Sequence, residues 1–248
     1  MKKRLTITIG VFAILAGYLY LTHAYIYFKI GRAHIYPPEA ERAYLFSGNT
    51  MEEKKLVYAS LGDSLTAGVG TEKFSESYPY LLAQNLEDRE QPVLLKNFSY
   101  SGATTEDLIR DLLTPAIAEQ PDIVTLLIGV NDIHDRIDKD VFKNNYRLIL
   151  DRLTKETQAK IYIISIPYIG ANTLILPPHN IYFGQKTDEF NKVIAELADS
   201  YKVNYIDLIS PTRETFKKNG KHYSADQFHP SAKGYALWAK IIYDSISK

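Results

Sequence analysis

Short apolar runs alternate with longer amphipathic stretches along most of the chain, and this alternation restricts the fold more than any other feature. Five runs have the length and composition of buried strands: 56–61, 93–97, 122–128, 160–165 and 203–207. Five stretches have the apolar spacing of helices: 78–87, 104–113, 140–155, 186–201 and 231–246. Because a strand that is apolar at nearly every position must be covered on both faces, the pattern predicts an α/β fold. We expect a three-layer α/β/α sandwich around a mostly parallel sheet of five strands.

The N-terminal segment predicts a membrane anchor. No charged residue occurs from position 5 to 28, and Lys2, Lys3 and Arg4 precede this run. A helix of that length rises about 36 Å, enough to cross a hydrocarbon core of about 30 Å. Since basic residues favour the cytoplasmic side, we expect a single-pass protein of the cell membrane with its remainder on the extracytoplasmic side. Two alternatives stay open: a signal peptide whose cleavage would release a secreted protein, and a buried core helix.

A segment of mixed character separates the apolar run from the first predicted strand. It carries Pro37-Pro38, several charges and little periodicity, which is typical of a linker. The expected organisation is therefore a transmembrane segment at 1–28, a stalk or linker at 29–55, and one globular domain at 56–248.

Composition excludes several classes of function. The 248 residues include no cysteine, which rules out disulfides, thiolate metal sites and a cysteine nucleophile. Basic and acidic side chains number 29 each, and the part after Arg4 has 26 basic residues against 29 acidic ones. This part of the chain lacks the excess of positive charge that is typical of nucleic-acid-binding proteins. We expect no nucleic-acid partner, no metal and no cofactor, and the sequence does not identify protein partners.

Polar residues follow four of the predicted strands at the point where each strand ends. Ser64 follows the first strand, Gly102 the second and Asn131 the third, while Asp226 and His229 come after the fifth. In a parallel sheet, ligands bind at the carboxyl ends of the strands. We therefore expect these residues to converge on one edge of the sheet.

The residue types in these clusters match the requirements of acyl transfer, which needs a nucleophile, a base, a group that orients the base, and donors for an oxyanion. Ser64 can supply the hydroxyl, and Asp226 lies three residues before His229 in a turn that ends at Pro230. Each feature alone has an ordinary structural explanation. A serine after a strand is usually a helix cap, an Asp–His pair often lies on the surface, and Asn131 and Gly102 suit a turn and a loop hinge. His34, His134, His179 and His222 lack such a setting.

Four segments in order resemble the conserved blocks of the SGNH hydrolase superfamily, the GDSL lipases and esterases. Gly62-Asp63-Ser64-Leu65 is similar to the first block, Gly102 to the glycine of the second, and Asn131 to the asparagine of the third. Asp226 and His229 match the final Asp-x-x-His block. The resemblance covers 56–248 and implies an SGNH, flavodoxin-like fold. Together with the N-terminal segment, it implies a bacterial protein of the membrane-anchored type. It also implies a Ser64 nucleophile, a His229 base oriented by Asp226, and an oxyanion hole formed by Ser64, Gly102 and Asn131.

The resemblance implies a serine hydrolase that cleaves carboxylic esters, with a small-molecule or lipid ester as substrate. Lipid, lysolipid and other acyl or acetyl esters all fit. Alternatives on the same site are an acyltransferase, a carbohydrate O-acetylesterase, and a catalytically silent, membrane-tethered binding module. The apolar segment 166–184 is interpreted either as an acyl-chain wall or lid, or as a loop packed on the core.

Overall fold

A parallel sheet forms the centre of the molecule. The computed structural model describes residues 2–31, 43–46, 55–87, 92–218 and 220–247. Its sheet has the order β1-β3-β2-β4-β5-β6. The strands are β1 (Ala43–Phe46), β2 (Leu56–Gly62), β3 (Val93–Ser99), β4 (Ile123–Leu127), β5 (Lys160–Ile164) and β6 (Asn204–Ile206). Only the pairing of β1 with β3 is antiparallel.

Helices connect the strands and cover both faces. They are α1 (Lys2–Ile30), α2 (Ser64–Ala67), α3 (Tyr78–Glu87), α4 (Thr105–Asp107), α5 (Leu113–Ala118), α6 (Val130–His134), α7 (Lys139–Glu156), α8 (His179–Tyr201), α9 (Ile209–Lys218) and α10 (Ala232–Ile246). The chain passes from β2 to its neighbour β3 on one side. The later connections, to β4, β5 and β6, proceed towards the opposite edge of the sheet. Because parallel crossovers are right-handed, α3 lies on one face and α5, α7 and α8 lie on the other. Helix α10 returns to pack against α3, which completes the predicted three-layer sandwich.

The direction of the crossovers reverses between β2 and β4. Gly62, at the end of β2, pairs with Ser99 of β3 on one side and with Leu127 of β4 on the other. The carboxyl ends of these three strands therefore lie side by side. A reversal of this kind opens a crevice at the carboxyl edge, which is where α/β folds bind their ligands.

The structure has six strands where the sequence predicted five. The additional strand, β1, lies inside the segment interpreted as a linker, and its aromatic rings pack on residues that follow β2, with Tyr44 stacked on Phe74. The other residues of that segment between 32 and 54, including His34 and Pro37-Pro38, lie outside the described residues. The sequence also placed the start of the fourth long helix too late, since α8 begins at His179 instead of position 186.

Helix α1 is long and apolar enough over Ile7–Ile30 to cross a membrane, although a signal sequence would have the same character. The side chains of residues 7–21 are exposed, among them Ile7, Phe12 and Ile14. Its second half differs, because Thr22 and Ile26 are buried.

Candidate active site

Ser64 occupies a tight turn between β2 and α2. Asp63 caps this helix by accepting the backbone N–H of Leu65 on Oδ1 at 2.9 Å. Gly62 has no room for a β-carbon, because one would collide with the Thr66 side chain and the Leu127 carbonyl. The turn therefore holds Ser64 at the carboxyl edge of the sheet, where its side chain is almost completely buried.

The loop before α10 brings an imidazole to this hydroxyl. His229 Nε2 lies 3.1 Å from Ser64 Oγ, and His229 Nδ1 lies 2.6 Å from Asp226 Oδ2. The other carboxylate oxygen, Asp226 Oδ1, accepts the Ser224 hydroxyl at 2.6 Å and the backbone N–H groups of Phe228 and His229 at 2.8 and 2.9 Å. All three predicted residues are thus joined in one hydrogen-bonded chain.

The electrostatics of Asp226 determine the tautomer of His229. Burial acts to raise the pKa of Asp226, but the hydrogen bonds and charge of His229, together with the donors to Oδ1, outweigh it and hold this pKa below its ordinary value. An ionised carboxylate only accepts, so Nδ1 of His229 carries a proton and donates it. Nε2 is then free to accept the hydroxyl proton of Ser64, which is the arrangement that a general base requires.

Asn131 and Gly102 lie at the ends of the two neighbouring strands. Asn131 is the second residue of α6, the helix that follows β4, and its Nδ2 donates to the carbonyl of Ala103 at 2.9 Å. Gly102 has a φ of +86°, a conformation that L-residues rarely adopt. Since a side-chain amide has two N–H donors, one N–H of Asn131 fixes the Gly102 loop while the second remains for a ligand.

Replacing Asn131 with alanine is expected to lower kcat by about 10²- to 10³-fold and to change KM little, because an oxyanion donor acts mainly in the transition state. Asn145→Ala is a matched control, because Asn145 Nδ2 binds the same loop through Thr105 Oγ1 at 3.1 Å. Steady-state kinetics on p-nitrophenyl acetate compare the two. Equal losses in both variants would show that Asn131 acts only by holding the loop.

Two buried carboxylates that the sequence did not single out for a role support these turns. Asp132 accepts the backbone N–H of Thr105 at 3.0 Å and so fastens the Gly102 loop a second time. Asp63 Oδ2 is buried and has no hydrogen-bond partner among the described residues. Burial raises the pKa of Asp63 to about 7; the bond from Leu65 opposes this shift and the charge of Asp132 adds to it.

The raised pKa of Asp63 predicts a pH-dependent stability. Between its unfolded value of 3.8 and about 7, the folded state keeps a proton that the unfolded chain has released. Stability therefore falls as pH rises through this window, by at most about 1.4 kcal/mol per pH unit, and then levels off. Asp63→Asn cannot ionise and is expected to flatten this slope.

Urea denaturation midpoints from pH 4.5 to 8 measure the effect for the wild type, for Asp63→Asn and for Asp244→Asn, whose carboxylate is half exposed on α10. We expect the Asp244 variant to keep the wild-type slope. An unchanged slope in Asp63→Asn would mean that Asp63 is ionised in the folded protein throughout this range.

Gly70 is a further positioning residue that the sequence did not reveal. Its φ is +100°, and a β-carbon there would lie 2.9 Å from the β-carbon of His229. The same turn is fixed from the other side, because the buried hydroxyl of Tyr235 donates to the Val69 carbonyl at 2.8 Å. Glycine at position 70 therefore allows the segment after Ser64 to pack directly against His229.

Three other histidines lie away from this chain of hydrogen bonds. His134 Nδ1 is 3.0 Å from Asp135, His179 Nε2 is 3.2 Å from Thr22 Oγ1, and the ring of His222 packs near Phe216. Within the described ranges, no group of three or more His, Asp or Glu side chains is arranged to hold a metal ion.

An apolar crevice adjoins three of the candidate site residues. Leu65, Val130 and Phe228, which line it, are the direct neighbours of Ser64, Asn131 and His229. Tyr168 and Ile169 form another part of its wall, and its empty volume is about 240 Å³, part of it open to solvent. Other residues of segment 166–184, such as Leu174, are fully buried. The segment therefore both packs on the core and lines the crevice.

A serine, a histidine and an aspartate joined by hydrogen bonds at the carboxyl edge of an α/β sheet form the arrangement of the serine hydrolases. The model of the GDSL-like lipase/acylhydrolase family matches residues 60–237. The chain therefore belongs to this family, and it is a carboxylic ester hydrolase.

Relatives and solved structures agree with this family. The spore germination lipase LipC of Bacillus licheniformis is 28% identical over 205 residues, which cover 73% of this chain and 91% of that protein. An acetylxylan esterase of Geobacillus stearothermophilus is 27% identical over 167 residues, 63% of this chain and 74% of the relative. The crystal structure of a lipase/acylhydrolase from Enterococcus faecalis superposes with a TM-score of 0.64 and 26% identity, over 77% of this chain and 95% of that one.

Proposed function

We propose that the protein hydrolyses carboxylic esters through an acyl-enzyme on Ser64, with His229 as the general base and Asp226 as the residue that orients it. The observation that carries this proposal is the chain of hydrogen bonds from Ser64 Oγ through His229 to Asp226. Serine hydrolysis needs a base within hydrogen-bonding reach of the nucleophile. The 3.1 Å between His229 Nε2 and Ser64 Oγ meets that requirement.

The reaction proceeds in two half-reactions of the same kind. Ser64 Oγ attacks the ester carbonyl while its proton passes to His229 Nε2, and the tetrahedral oxyanion is stabilised by the N–H groups of Ser64 and Gly102 and by Asn131 Nδ2. The C–O bond to the alcohol breaks as His229 returns the proton to the leaving oxygen. Water then attacks the acyl-enzyme in the same way, releases the carboxylic acid and restores Ser64.

We further propose that α1 is retained as a single-pass anchor with the hydrolase domain on the extracytoplasmic side. Lys2, Lys3 and Arg4 support this orientation, since basic residues favour the cytoplasmic end of a membrane helix. The proposed organisation is an anchor at 1–28, a connecting segment at 29–55 that contributes β1, and the hydrolase domain at 56–248.

A fluorophosphonate probe tests the nucleophile directly, because it phosphonylates an activated serine. We expect one adduct per chain, and peptide mass spectrometry should place it on Ser64. Addition of p-nitrophenyl butyrate should slow the labelling by competition. An adduct on another serine, or no adduct on folded protein, would contradict the proposal.

A further inference from the structure

One stripe of α1 packs against the hydrolase domain. Tyr18, Thr22 and Ile26 recur at intervals of four residues and therefore share a face of the helix. Tyr18 Oη donates to the Pro177 carbonyl at 2.9 Å. Thr22 is buried against His179, and Ile26 is only 4% exposed and joins the hydrophobic core. One face of the second half of the apolar helix is thus packed on the folded domain, while Tyr20, Leu21 and Phe28 remain exposed.

Contacts of this stripe, and of Tyr27 and Lys29 next to it, fall close to residues of the candidate active site. Pro177 and His179 lie in the apolar segment 166–184, whose first residues line the crevice. The ring of Tyr27 packs edge-on against His134, three residues after Asn131 on α6, with centroids 5.4 Å apart. Lys29 Nζ donates to the carbonyl of Ala225, the residue before Asp226, at 3.3 Å. We call residues 134, 177–181 and 225 the rim.

The length of α1 limits how far the rim can lie from a membrane that this helix crosses. The free part, 7–17, rises only about 17 Å, whereas the hydrocarbon core is about 30 Å thick. The whole apolar span of 24 residues, Ile7–Ile30, rises about 36 Å and is sufficient. A spanning α1 must therefore carry its packed half, and the rim with it, into the outer leaflet of the bilayer.

We propose that α1 holds the rim of the active site within the outer leaflet of the membrane, so that the substrate is an ester-linked lipid that enters from this leaflet. This inference rests on the proposed esterase function of Ser64. Ile181 on the rim is 56% exposed, although it is a large apolar side chain. Apolar and aromatic residues line the crevice next to Ser64 and can contact an acyl chain. A polymeric sugar ester would have to reach the site from the side that the membrane covers.

The position of the rim can be measured without reference to activity. Because the chain has no cysteine, Ile181→Cys and Lys155→Cys each provide a single attachment point for an environment-sensitive fluorophore. Lys155 is exposed in the last turn of α7, shortly before β5 and so at the opposite edge of the sheet. In vesicles of phosphatidylglycerol and phosphatidylethanolamine, we expect lipids that carry a nitroxide near the headgroup to quench the probe at 181 and not the probe at 155. Equal quenching, or none at 181, would overturn the proposal.

The consequence for substrate choice is tested by breaking the packed stripe. Ile26→Glu places a carboxylate in the buried contact, and Tyr25→Glu places the same charge at the same depth on a side chain that is 38% exposed. The full-length protein is reconstituted in the same vesicles, with oleoyl lysophosphatidylglycerol as the membrane substrate and p-nitrophenyl acetate as the soluble one.

We expect Ile26→Glu to lower turnover of the vesicle lipid by about tenfold or more relative to Tyr25→Glu, because misplacement of a site relative to its substrate is costly. Both variants should hydrolyse p-nitrophenyl acetate at wild-type rates. Equal rates of lipid turnover in the two variants would overturn the role of α1. Faster turnover of acetylated xylooligosaccharides than of the lipid by the wild type would overturn the substrate class. Failure to hydrolyse any ester, p-nitrophenyl acetate included, would instead refute the esterase function itself.

Discussion

Replacing Ser64 with alanine is expected to reduce kcat/KM for p-nitrophenyl acetate by about 10⁴- to 10⁶-fold, because no acyl-enzyme can form. The residual activity would come from the oxyanion donors and from His229 acting on water. The variant should stay folded, since the change removes one oxygen whose partner within the site is His229 Nε2. Initial rates, corrected for the spontaneous hydrolysis of the ester, measure the loss.

Ser101→Ala is the matched control for this substitution. Ser101 is an exposed serine in the turn that also holds Gly102, so it shares the sheet edge with Ser64 but has no bond to His229. Its activity should stay within about twofold of the wild type, as is usual for surface positions. If Ser64→Ala kept a tenth or more of the wild-type rate, another group would have to be the nucleophile.

The sequence predicted the central strands well because their burial leaves a strong signal. Every residue of β4 is buried, so the chain shows an apolar run there that is interrupted by Thr125 alone. Strand β1 leaves no such signal, since its four residues alternate between exposed and half-buried positions at the sheet edge. The first two turns of α8 were also missed, because two prolines and a mixture of polar and apolar residues precede position 186.

Residues that carry chemistry were easier to predict than residues that position them. Ser64, Asn131 and His229 each follow a predicted strand, and this placement identified them as candidates from the sequence alone. Gly70 was not predictable in this way, since its requirement for glycine arises from a contact with a loop about 160 residues later. In the same way, the sequence indicated that α1 could span a membrane, but only the tertiary structure shows which of its faces packs on the rim.

The orientation of Asp226 leads to the second large effect that we expect. Asp226 Oδ1 accepts two backbone N–H groups, from Phe228 and His229, and the hydroxyl of Ser224. An asparagine at this position must keep its carbonyl oxygen on that side, because an amide nitrogen cannot accept these hydrogen bonds. Its NH₂ group would then face His229 Nδ1 in place of Oδ2.

Asp226→Asn is therefore expected to lower kcat by about 10⁴-fold while leaving the fold intact. With an amide donor opposite Nδ1, the neutral imidazole must carry its proton on Nε2, so it presents N–H to Ser64 and cannot take the hydroxyl proton. Nitrogen-15 spectra of the labelled histidine side chains should show the Nδ1–H tautomer of His229 in the wild type and the Nε2–H tautomer in the variant. Ser224→Ala removes a donor to Oδ1 but keeps the carboxylate, so it should retain the wild-type tautomer. A variant that loses activity with its proton still on Nδ1 would show that Asp226 contributes charge alone and that the tautomer is fixed by another contact.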